Sequence, residues 1–207
     1  SSDVCSSDLG SESRSRPVLI SGTAEYTPEY TAVSFGDENA CAIASSGELH
    51  CWGNNSYGQV GIGGTAVTAK QTSPFAVTSD ATYSKVSVGY RHSCAITTSG
   101  QLHCWGSNSS GQAPAGDLSA SVPMTVDSAS SYAQISAGKD HSCGITRDSE
   151  LKCWGTNTAG QLGSGAIGAR LGPTVIDGNT AYRAVSAAVT HTCAITSTGT
   201  LKCWGAN

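Results

Sequence analysis

Eight of the nine cysteines in this 207-residue chain stand in four copies of one pattern, a cysteine and, after nine residues, Cys-Trp-Gly. The pairs are Cys41 with Cys51, Cys94 with Cys104, Cys143 with Cys153, and Cys193 with Cys203. Cysteines at fixed spacing form disulfides, bind metals or act as nucleophiles. The pattern lacks the short Cys/His intervals of zinc sites, and a paired cysteine has no thiolate for attack. We therefore predict four disulfides, with no metal, no cofactor and no catalytic cysteine.

The first cysteines of successive pairs are 53, 49 and 50 residues apart, and such a fixed period is the signature of a repeat architecture. Three more motifs recur with this period. A Tyr-x-x-Val/Ile-Ser-x-Gly motif occupies Tyr30 to Gly36, Tyr83 to Gly89 and Tyr132 to Gly138, with an imperfect copy at Tyr182 to Ala188. A proline opens apolar runs at 17–20, 74–77, 123–126 and 173–176. An asparagine follows each Cys-Trp-Gly, at Asn55, Asn108, Asn157 and Asn207, and Gly-Gln pairs follow at 58–59, 111–112 and 160–161.

Each unit thus holds four short apolar runs separated by Gly, Ser, Asn and Thr, which predicts four strands per unit. No stretch of useful length has a helical period. A four-stranded sheet that recurs about every 50 residues is a propeller blade. We predict an all-β fold, a partial β-propeller of about four units in an open arc. The units are 17–73, 74–122, 123–172 and 173–207, and we expect the last to be truncated.

The cysteine pairs fit a β-hairpin. In the first unit the turn centres on Ser45-Ser46-Gly47, and three-residue hairpin loops favour glycine at the left-handed position. With Ser46 at the centre, Cys41 lies opposite Cys51 on the face that also carries Ile43 and Leu49. Directly opposed cysteines are close enough for a cross-strand disulfide.

Charge and composition exclude some classes of protein. The chain has 11 basic and 15 acidic residues, a net charge of −4, and no basic stripe, which argues against nucleic-acid binding. No stretch approaches the apolar length of a membrane span. Four disulfides indicate an oxidising compartment, so we expect an extracellular, cell-surface or periplasmic location.

The first residues differ from the repeats. We expect 1–16 to be a non-native or disordered leader, because 1–9 resembles the translated sequencing-adapter peptide that contaminates assembled environmental reads, and this origin also explains the odd cysteine, Cys5. The chain stops at the asparagine of the fourth unit, before a Gly-Gln pair. Both ends suggest a piece of a longer protein.

The repeat resembles the regulator-of-chromosome-condensation (RCC1) repeat family. The matching pattern is Val-Ser-x-Gly-x-x-His-Ser-Cys-Ala-Ile, a glycine turn, and Leu-x-Cys-Trp-Gly-x-Asn-x-x-Gly-Gln, at Val86 to Gln112. It recurs at Ile135 to Gln161, with Gly144 and Ser149 as departures, and the resemblance covers about residues 17–207. It implies propeller blades, commonly seven to a ring, and the paired cysteines resemble the exported bacterial branch. A secreted bacterial inhibitor of β-lactamase has this fold, which implies that the ring can bind proteins.

Two sets of repeated side chains are candidates for structural roles. We expect the histidines to hydrogen-bond backbone atoms of their own blade rather than to bind metal, and the tryptophans to form the core between blades. These residues are His92, His141, His191, Trp52, Trp105, Trp154 and Trp204. Another repeat position holds histidine in two units and lysine in the other two, at His50, His103, Lys152 and Lys202. This mixture of polar residues predicts exposure to solvent.

The variable segments are better candidates for binding. Three connectors differ in length and sequence, Gly61 to Thr72, Ala113 to Val122 and Ser164 to Gly172. On a propeller such loops gather on one face, where a rigid scaffold positions them. Tyr57 and Tyr90 are aromatic residues outside the repeat pattern, and we predict that they contact a partner.

These observations predict a binding module of a secreted or cell-surface bacterial protein that recognises a protein or surface ligand and has no catalysis of its own. A first alternative is a carbohydrate hydrolase or lyase at the central channel, but no carboxylate pair repeats. A second is a nucleotide-exchange regulator of a small GTPase, which the cysteines and the acidic charge disfavour. We also expect the two flanks of an open arc to expose apolar surface and to promote association.

Overall fold

The repeated motifs become strands. The computed structural model describes residues 28–64, 70–113 and 118–206, and within these ranges all regular structure is β-strand, as predicted. The strands are β1 (Tyr30–Phe35), β2 (Asn39–Ala44), β3 (Leu49–Gly53), β4 (Gln71–Ala76), β5 (Tyr83–Val88), β6 (His92–Thr97), β7 (Leu102–Ser107), β8 (Ser119–Asp127), β9 (Tyr132–Ala137), β10 (His141–Thr146), β11 (Leu151–Gly155), β12 (Arg170–Val175), β13 (Tyr182–Ala187), β14 (His191–Thr196) and β15 (Leu201–Gly205).

The strands form four antiparallel sheets in which neighbours in sequence are neighbours in space. Blade 1 contains β1–β4, blade 2 contains β5–β8 and blade 3 contains β9–β12, whereas blade 4 has three described strands, β13–β15. The first strand of each blade contacts the first strand of the next, so these strands line the inner edge of the arc. The prediction of a partial propeller with four-stranded blades is confirmed.

The proline-led runs lie in β4, β8 and β12, the last strand of each four-stranded sheet. Each pairs with the cysteine hairpin that precedes it, as β4 does with β3. An outer strand suits proline, which has no N–H to donate to a further strand. The first strand of a sequence unit that begins at its proline therefore belongs to the preceding sheet, and the remaining strands of that unit form the next sheet. The leader and the run at 17–20 lie outside the described residues.

The cysteine hairpins have the predicted register. Cys41 pairs with Cys51 and Ile43 with Leu49, and the other three hairpins repeat this pairing. The turn glycine of the first hairpin, Gly47, has a φ of +87°, in the left-handed region that glycine tolerates. Ser149 holds that position in blade 3 with a φ of 67°, a conformation that costs a residue with a Cβ about 1 kcal/mol.

The blades pack with the cysteine face of one sheet against the tryptophan face of the next. The disulfide Cys41–Cys51, Ile43 and Leu49 of blade 1 form one cluster with Ala95 and Trp105 of blade 2. Equivalent clusters join blade 2 to blade 3 and blade 3 to blade 4. Apolar content on both faces suits this sandwiching, because the sheets of blades 2 and 3 are covered on two sides.

Both flanks of the arc expose side chains that are buried elsewhere. Leu201 of blade 4 is 64% exposed, whereas the equivalent Leu102 is fully buried. Val33 and Phe35 of blade 1 are exposed, whereas their equivalents in blade 2, Val86 and Val88, pack into the core between blades. The described residues thus form an open arc with an apolar flank at each end.

The four disulfides differ in accessibility. Their S–S distances are 2.09–2.14 Å, and the six cysteines of the first three hairpins have no exposed surface, whereas Cys203 is exposed at the flank. Because reduction needs access to a sulfur atom, we expect mild reduction followed by alkylation to label Cys193 and Cys203 first. Mass spectrometry of non-reduced and partially reduced peptides measures this. Cross-pairing between hairpins, or uniform labelling, would contradict the prediction.

Candidate functional site: the connector face

Strand directions place two kinds of loop at the same end of each blade. Gly53, the last residue of β3, lies opposite Asn39 at the start of β2 and opposite Gln71 at the start of β4. The β1–β2 turn and the β3–β4 connector therefore meet at one end of blade 1, and blades 2 and 3 repeat this pairing. We call this end the connector face and the opposite end, with the cysteine-hairpin turns, the hairpin face.

The three predicted connectors leave from the connector face. Their predicted C-terminal limits are wrong by two to four residues, because β4, β8 and β12 begin before the proline, at Gln71, Ser119 and Arg170. The strands extend this far because Gly53, Gly106 and Gly155 each find a backbone partner there. Residues 65–69 and 114–117 lie outside the described residues, so only the third connector is described throughout.

Four side chains from three blades form a row on this face. The Arg91 guanidinium lies 4.7 Å from the centre of the Tyr57 ring and 4.7 Å from that of the Tyr90 ring. The Lys139 ammonium lies 5.4 Å from the Tyr90 ring centre. Lys139 is exposed and the other three are half-buried. Such contacts are worth about 0.5–1 kcal/mol each at exposed sites. We call these four residues the cation–π row; it brings the two predicted tyrosines together through Arg91.

Sequence reasoning missed Arg91 and Lys139, although a signal was present. Two consecutive positions lie between the motif glycine and the histidine position, and they differ in all four units. They hold Asp37-Glu38, Tyr90-Arg91, Lys139-Asp140 and Val189-Thr190. In an otherwise regular repeat, two adjacent positions without a common residue type indicate a surface that does not build the blade.

An open groove of about 490 Å³ lies beside the row, at the inner edge of the arc. Its rim carries Asp37, Tyr90, Lys139 and Val189, one from each blade. Its floor comes from the ends of the inner strands, with Val88, Ala137 and Ala187. The groove is thus apolar at its base, with charged and aromatic groups at its edge.

The inner strands are held together by two elements of the Tyr-x-x-Val/Ile-Ser-x-Gly motif. The serine of one blade accepts a hydrogen bond from a backbone N–H of the next, as Ser34 Oγ does from Val88 N at 3.0 Å. Ser87 and Ser136 do the same. A Cβ at Gly89 would overlap the carbonyl oxygen of Gly138 in the next blade, so this close approach requires glycine. These contacts fix the turns that carry the row.

The repeated histidines link neighbouring blades, so the prediction of backbone partners in the same blade is wrong. His92 Nε2 lies 2.8 Å from Ser142 Oγ, and His141 Nε2 lies 2.9 Å from Thr192 Oγ1. Asn39 occupies the same position in blade 1 and donates to Ser93 Oγ at 3.2 Å. In each case the hydroxyl belongs to the residue just before the first cysteine of the following blade. This residue lies within reach because the two sheets pack face to face.

The repeated tryptophans complete this polar contact. Trp105 Nε1 donates to the carbonyl oxygen of Gln59 at 2.9 Å, and Ser93 Oγ donates to the same oxygen at 2.9 Å. Trp204 and Thr192 share the Gln161 carbonyl in the same way. The Gln59 side chain caps its own loop by accepting from Tyr57 N at 2.8 Å. The Gly-Gln loop thus packs between blades, and the backbone carbonyl and side-chain amide of its glutamine both hydrogen-bond within the protein.

Burial holds the linking histidines in the neutral form. The Thr192 hydroxyl donates to Gln161, so His141 must donate from Nε2, which leaves its Nδ1 unprotonated. Nδ1 of His92 and of His141 is buried and has no hydrogen-bond partner. Burial, with a smaller effect of His141, lowers the pKa of His92 to about 3. Burial, with a smaller effect of His191, lowers the pKa of His141 to about 4.

The prediction that the position shared by His50, His103, Lys152 and Lys202 is exposed to solvent is wrong. His50 is buried, and the other three members are half-buried. Lys152 Nζ donates to Asp127 Oδ2 at 3.0 Å, and the hydroxyl of the motif tyrosine Tyr132 donates to the same oxygen at 2.9 Å. Burial raises the pKa of Asp127, but these hydrogen bonds outweigh it and the net shift is downward. Asp127 ends β8 of the preceding blade, and Asp177 has the same role for Lys202 and Tyr182.

Within the described ranges, no group of three or more His, Cys, Asp or Glu side chains could hold a metal ion. No helix there has the length and apolar character needed to cross a membrane. Among the described residues that line the groove, Asp37 is the one carboxylate. Acid–base catalysis by a pair of carboxylates has no counterpart in this lining.

These observations define a propeller-type repeat protein with a variable connector face. The chain belongs to the regulator of chromosome condensation (RCC1) repeat family. The family profile with that description matches residues 30–59, 83–112, 132–161 and 182–207, and a second profile with the same description matches residues 46–96. Each match of the first profile begins at a motif tyrosine, and the first three end at the glutamine of a Gly-Gln pair.

Two curated relatives share part of the chain. A segment of 87 residues is 37% identical to the probable E3 ubiquitin-protein ligase HERC4 of Rattus norvegicus. Another match over 87 residues is 36% identical to the ultraviolet-B receptor UVR8 of Arabidopsis thaliana. Each match covers 41% of this chain, but only 8% of the ligase and 19% of the receptor.

Solved structures share the fold at low identity. Human WBSCR16 superposes with a TM-score of 0.79 at 17% identity, over 97% of this chain and 55% of that one. A chain in the crystal structure of Kap60 bound to yeast RCC1 (Prp20) gives 0.77 at 19% identity, over 90% and 46%. The ectodomain of the Physcomitrella patens receptor kinase CR4 gives 0.59 at 22% identity, over 86% and 42%. This chain therefore spans about half of these solved chains.

Proposed function

We propose that this chain is part of an exported β-propeller that binds a partner protein or surface ligand through its connector face, without catalysis of its own. One observation carries the proposal. The side chains that differ between repeats lie together on one face, on turns fixed by repeated contacts between blades. A rigid scaffold that presents variable loops is the usual arrangement of a binding surface.

Two observations support export. Four disulfides persist in oxidising compartments and are rare where thiols are kept reduced. The fold is also used outside cells, since the structure of the moss receptor kinase CR4 is that of an ectodomain. We propose an extracellular, cell-surface or periplasmic location in a bacterial host.

The other functions have weaker support. A carbohydrate hydrolase or lyase needs an acid and a base, and the described groove lining offers Asp37 alone. HERC4 is named as a ligase, but the match covers 8% of it. One neighbour is the yeast protein Prp20p, described with its binding to Gsp1p and histones, but an identity of 17% shows the fold alone. The net charge of −4 argues against a nucleic-acid partner.

The test compares two faces of one protein. A connector-face variant combines Tyr57→Ser, Tyr90→Ser and a Gly-Ser replacement of 165–168, and a hairpin-face variant carries Arg147→Ser and Asp148→Ser. We expect the full-length protein and the hairpin-face variant to recover the same partner from the secreted fraction of the host, and the connector-face variant to lose it. Circular dichroism checks that both variants fold. Equal recovery by both variants would refute the connector face as the binding site.

A further inference from the structure

The cation–π row carries two positive charges that no acidic group neutralises within the described part of the chain. His50, Lys152 and Lys202 each pair with a carboxylate, whereas no hydrogen bond or ion pair of the described residues uses the Arg91 or Lys139 side chain. Lys139 is exposed and Arg91 is half-buried. On a chain with a net charge of −4, this makes the row a local site of attraction for an anionic group.

The geometry favours a carboxylate over a sugar ring. A pyranose stacks on an uncovered aromatic face, but the Tyr57 and Tyr90 rings already hold cations against them. A guanidinium held against aromatic rings still presents its N–H edge, which binds a carboxylate through two parallel hydrogen bonds. Arg91 is thus preorganised for an acidic side chain, with Lys139 as a second positive charge that also contacts the Tyr90 ring.

The adjoining groove adds an apolar requirement. Tyr90 and Lys139 belong to both the row and the groove, so an anion on the row places its neighbours over the groove floor. That floor is formed by Val88, Ala137 and Ala187. We infer that the row and the groove together bind a short segment of the partner protein that carries an acidic side chain next to an apolar one. This inference rests on the proposed function and specifies the partner's chemistry.

Selection from a phage-displayed library of random octapeptides tests the inference without knowledge of the partner. The 207-residue chain is immobilised at sparse density, so that its open flanks do not meet. We expect the selected peptides to be enriched in Asp or Glu beside Leu, Ile, Val or Phe. The double variant Arg91→Gln/Lys139→Gln is expected to lose the acidic enrichment.

A selected peptide then gives the magnitude. Because hydrogen bonds to charged groups contribute about 1.5–3 kcal/mol, we expect Arg91→Gln to weaken its binding about tenfold or more. Exchange of the peptide's acid for its amide is expected to do the same. Arg147→Gln is the matched control, since Arg147 is exposed in a turn of the hairpin face and its loss changes net charge equally. This control is expected to change the affinity less than about twofold, because exposed distant charges are screened by salt.

Three results of the peptide experiments would overturn the inference: peptides with no charge bias or a basic bias, acidic enrichment that survives loss of both cations, or displacement of the bound peptide by tetragalacturonate at a lower concentration than by free peptide of the same sequence. The last result would assign the row to an acidic sugar. A host partner that depends on the connector face but not on Arg91 refutes the inference and leaves the proposed function standing. A partner that is indifferent to the whole face refutes both.

Discussion

Replacement of Trp105 with alanine is expected to lower the free energy of unfolding by about 3–5 kcal/mol, the usual cost of deleting a buried tryptophan. Trp105 has no exposed surface, packs against the disulfide Cys41–Cys51, and donates its indole N–H to the Gln59 carbonyl. The substitution leaves a cavity between blades 1 and 2 and removes a donor from a buried oxygen. Urea unfolding followed by circular dichroism measures the loss.

Trp204→Ala is the matched control. Trp204 has the same repeat position and hydrogen bond, to the Gln161 carbonyl, but it is only half-buried at the open flank. We expect Trp204→Ala to lower the stability clearly less, because folding removes less apolar surface from water at this position. Equal losses would mean that packing between blades does not set the stability. If Trp105→Ala folds normally and abolishes partner binding, the tryptophans are contact residues.

Acid is expected to destabilise this chain well above the pH at which its carboxylates titrate. His92 and His141 have folded pKa values of about 3 and 4, against about 6.5 when unfolded. Between these values the unfolded chain binds more protons, so stability is fully present above pH 6.5 and falls as the pH falls. The slope approaches about 1.4 kcal/mol per pH unit for each histidine below pH 6.5, so the two together lose about 3 kcal/mol between pH 6.5 and 5. Urea unfolding as a function of pH measures the slope.

The first blade supplies the variant that isolates this effect. Asn39 makes the equivalent contact without a titrating group, so His92→Asn is expected to remove the contribution of one histidine to the slope, about 1.4 kcal/mol per pH unit, while keeping a hydrogen bond to Ser142. His191→Asn is the control, because His191 is exposed at the flank. It should change the slope little, since burial is the larger cause of the low pKa of His141. An unchanged slope in His92→Asn would exclude the linking histidines as the acid-sensitive groups.

The sequence predicts what is local to one hairpin. The register of Cys41 with Cys51 follows from a short turn and the alternation of side chains, and it holds in all four blades. The partner of His92 could not be predicted, because Ser142 lies 50 residues away and becomes a neighbour only when two sheets pack. The start of β4 depends likewise on pairing across a loop, from Gln71 to Gly53.

The candidate site was predicted only in part for the same reason. Tyr57 and Tyr90 were recognised as aromatic residues outside the repeat pattern, but their joint contact with Arg91 depends on the angle between blades 1 and 2. The half-buried state of Lys152 was missed because its partner Asp127 ends β8 of the preceding blade and meets Lys152 only when the two blades pack. Contacts between repeats therefore depend on how the blades pack, whereas contacts within a repeat can be inferred from the spacing of its residues.

The polar contact between blades has a consequence for how such chains change in length. One side of blades 2, 3 and 4 offers a hydroxyl before the first cysteine and a tryptophan after the second, and the facing side of blades 1, 2 and 3 offers a His or Asn and a Gly-Gln carbonyl. The three junctions among the described blades therefore join the same two sets of polar groups. Gene duplication or deletion of one whole blade creates no new type of junction. A cut within a blade instead leaves polar groups at the junction without their hydrogen-bond partners. Rings of different circumference can thus arise by adding or removing complete modules, while the turns on the connector face diverge independently.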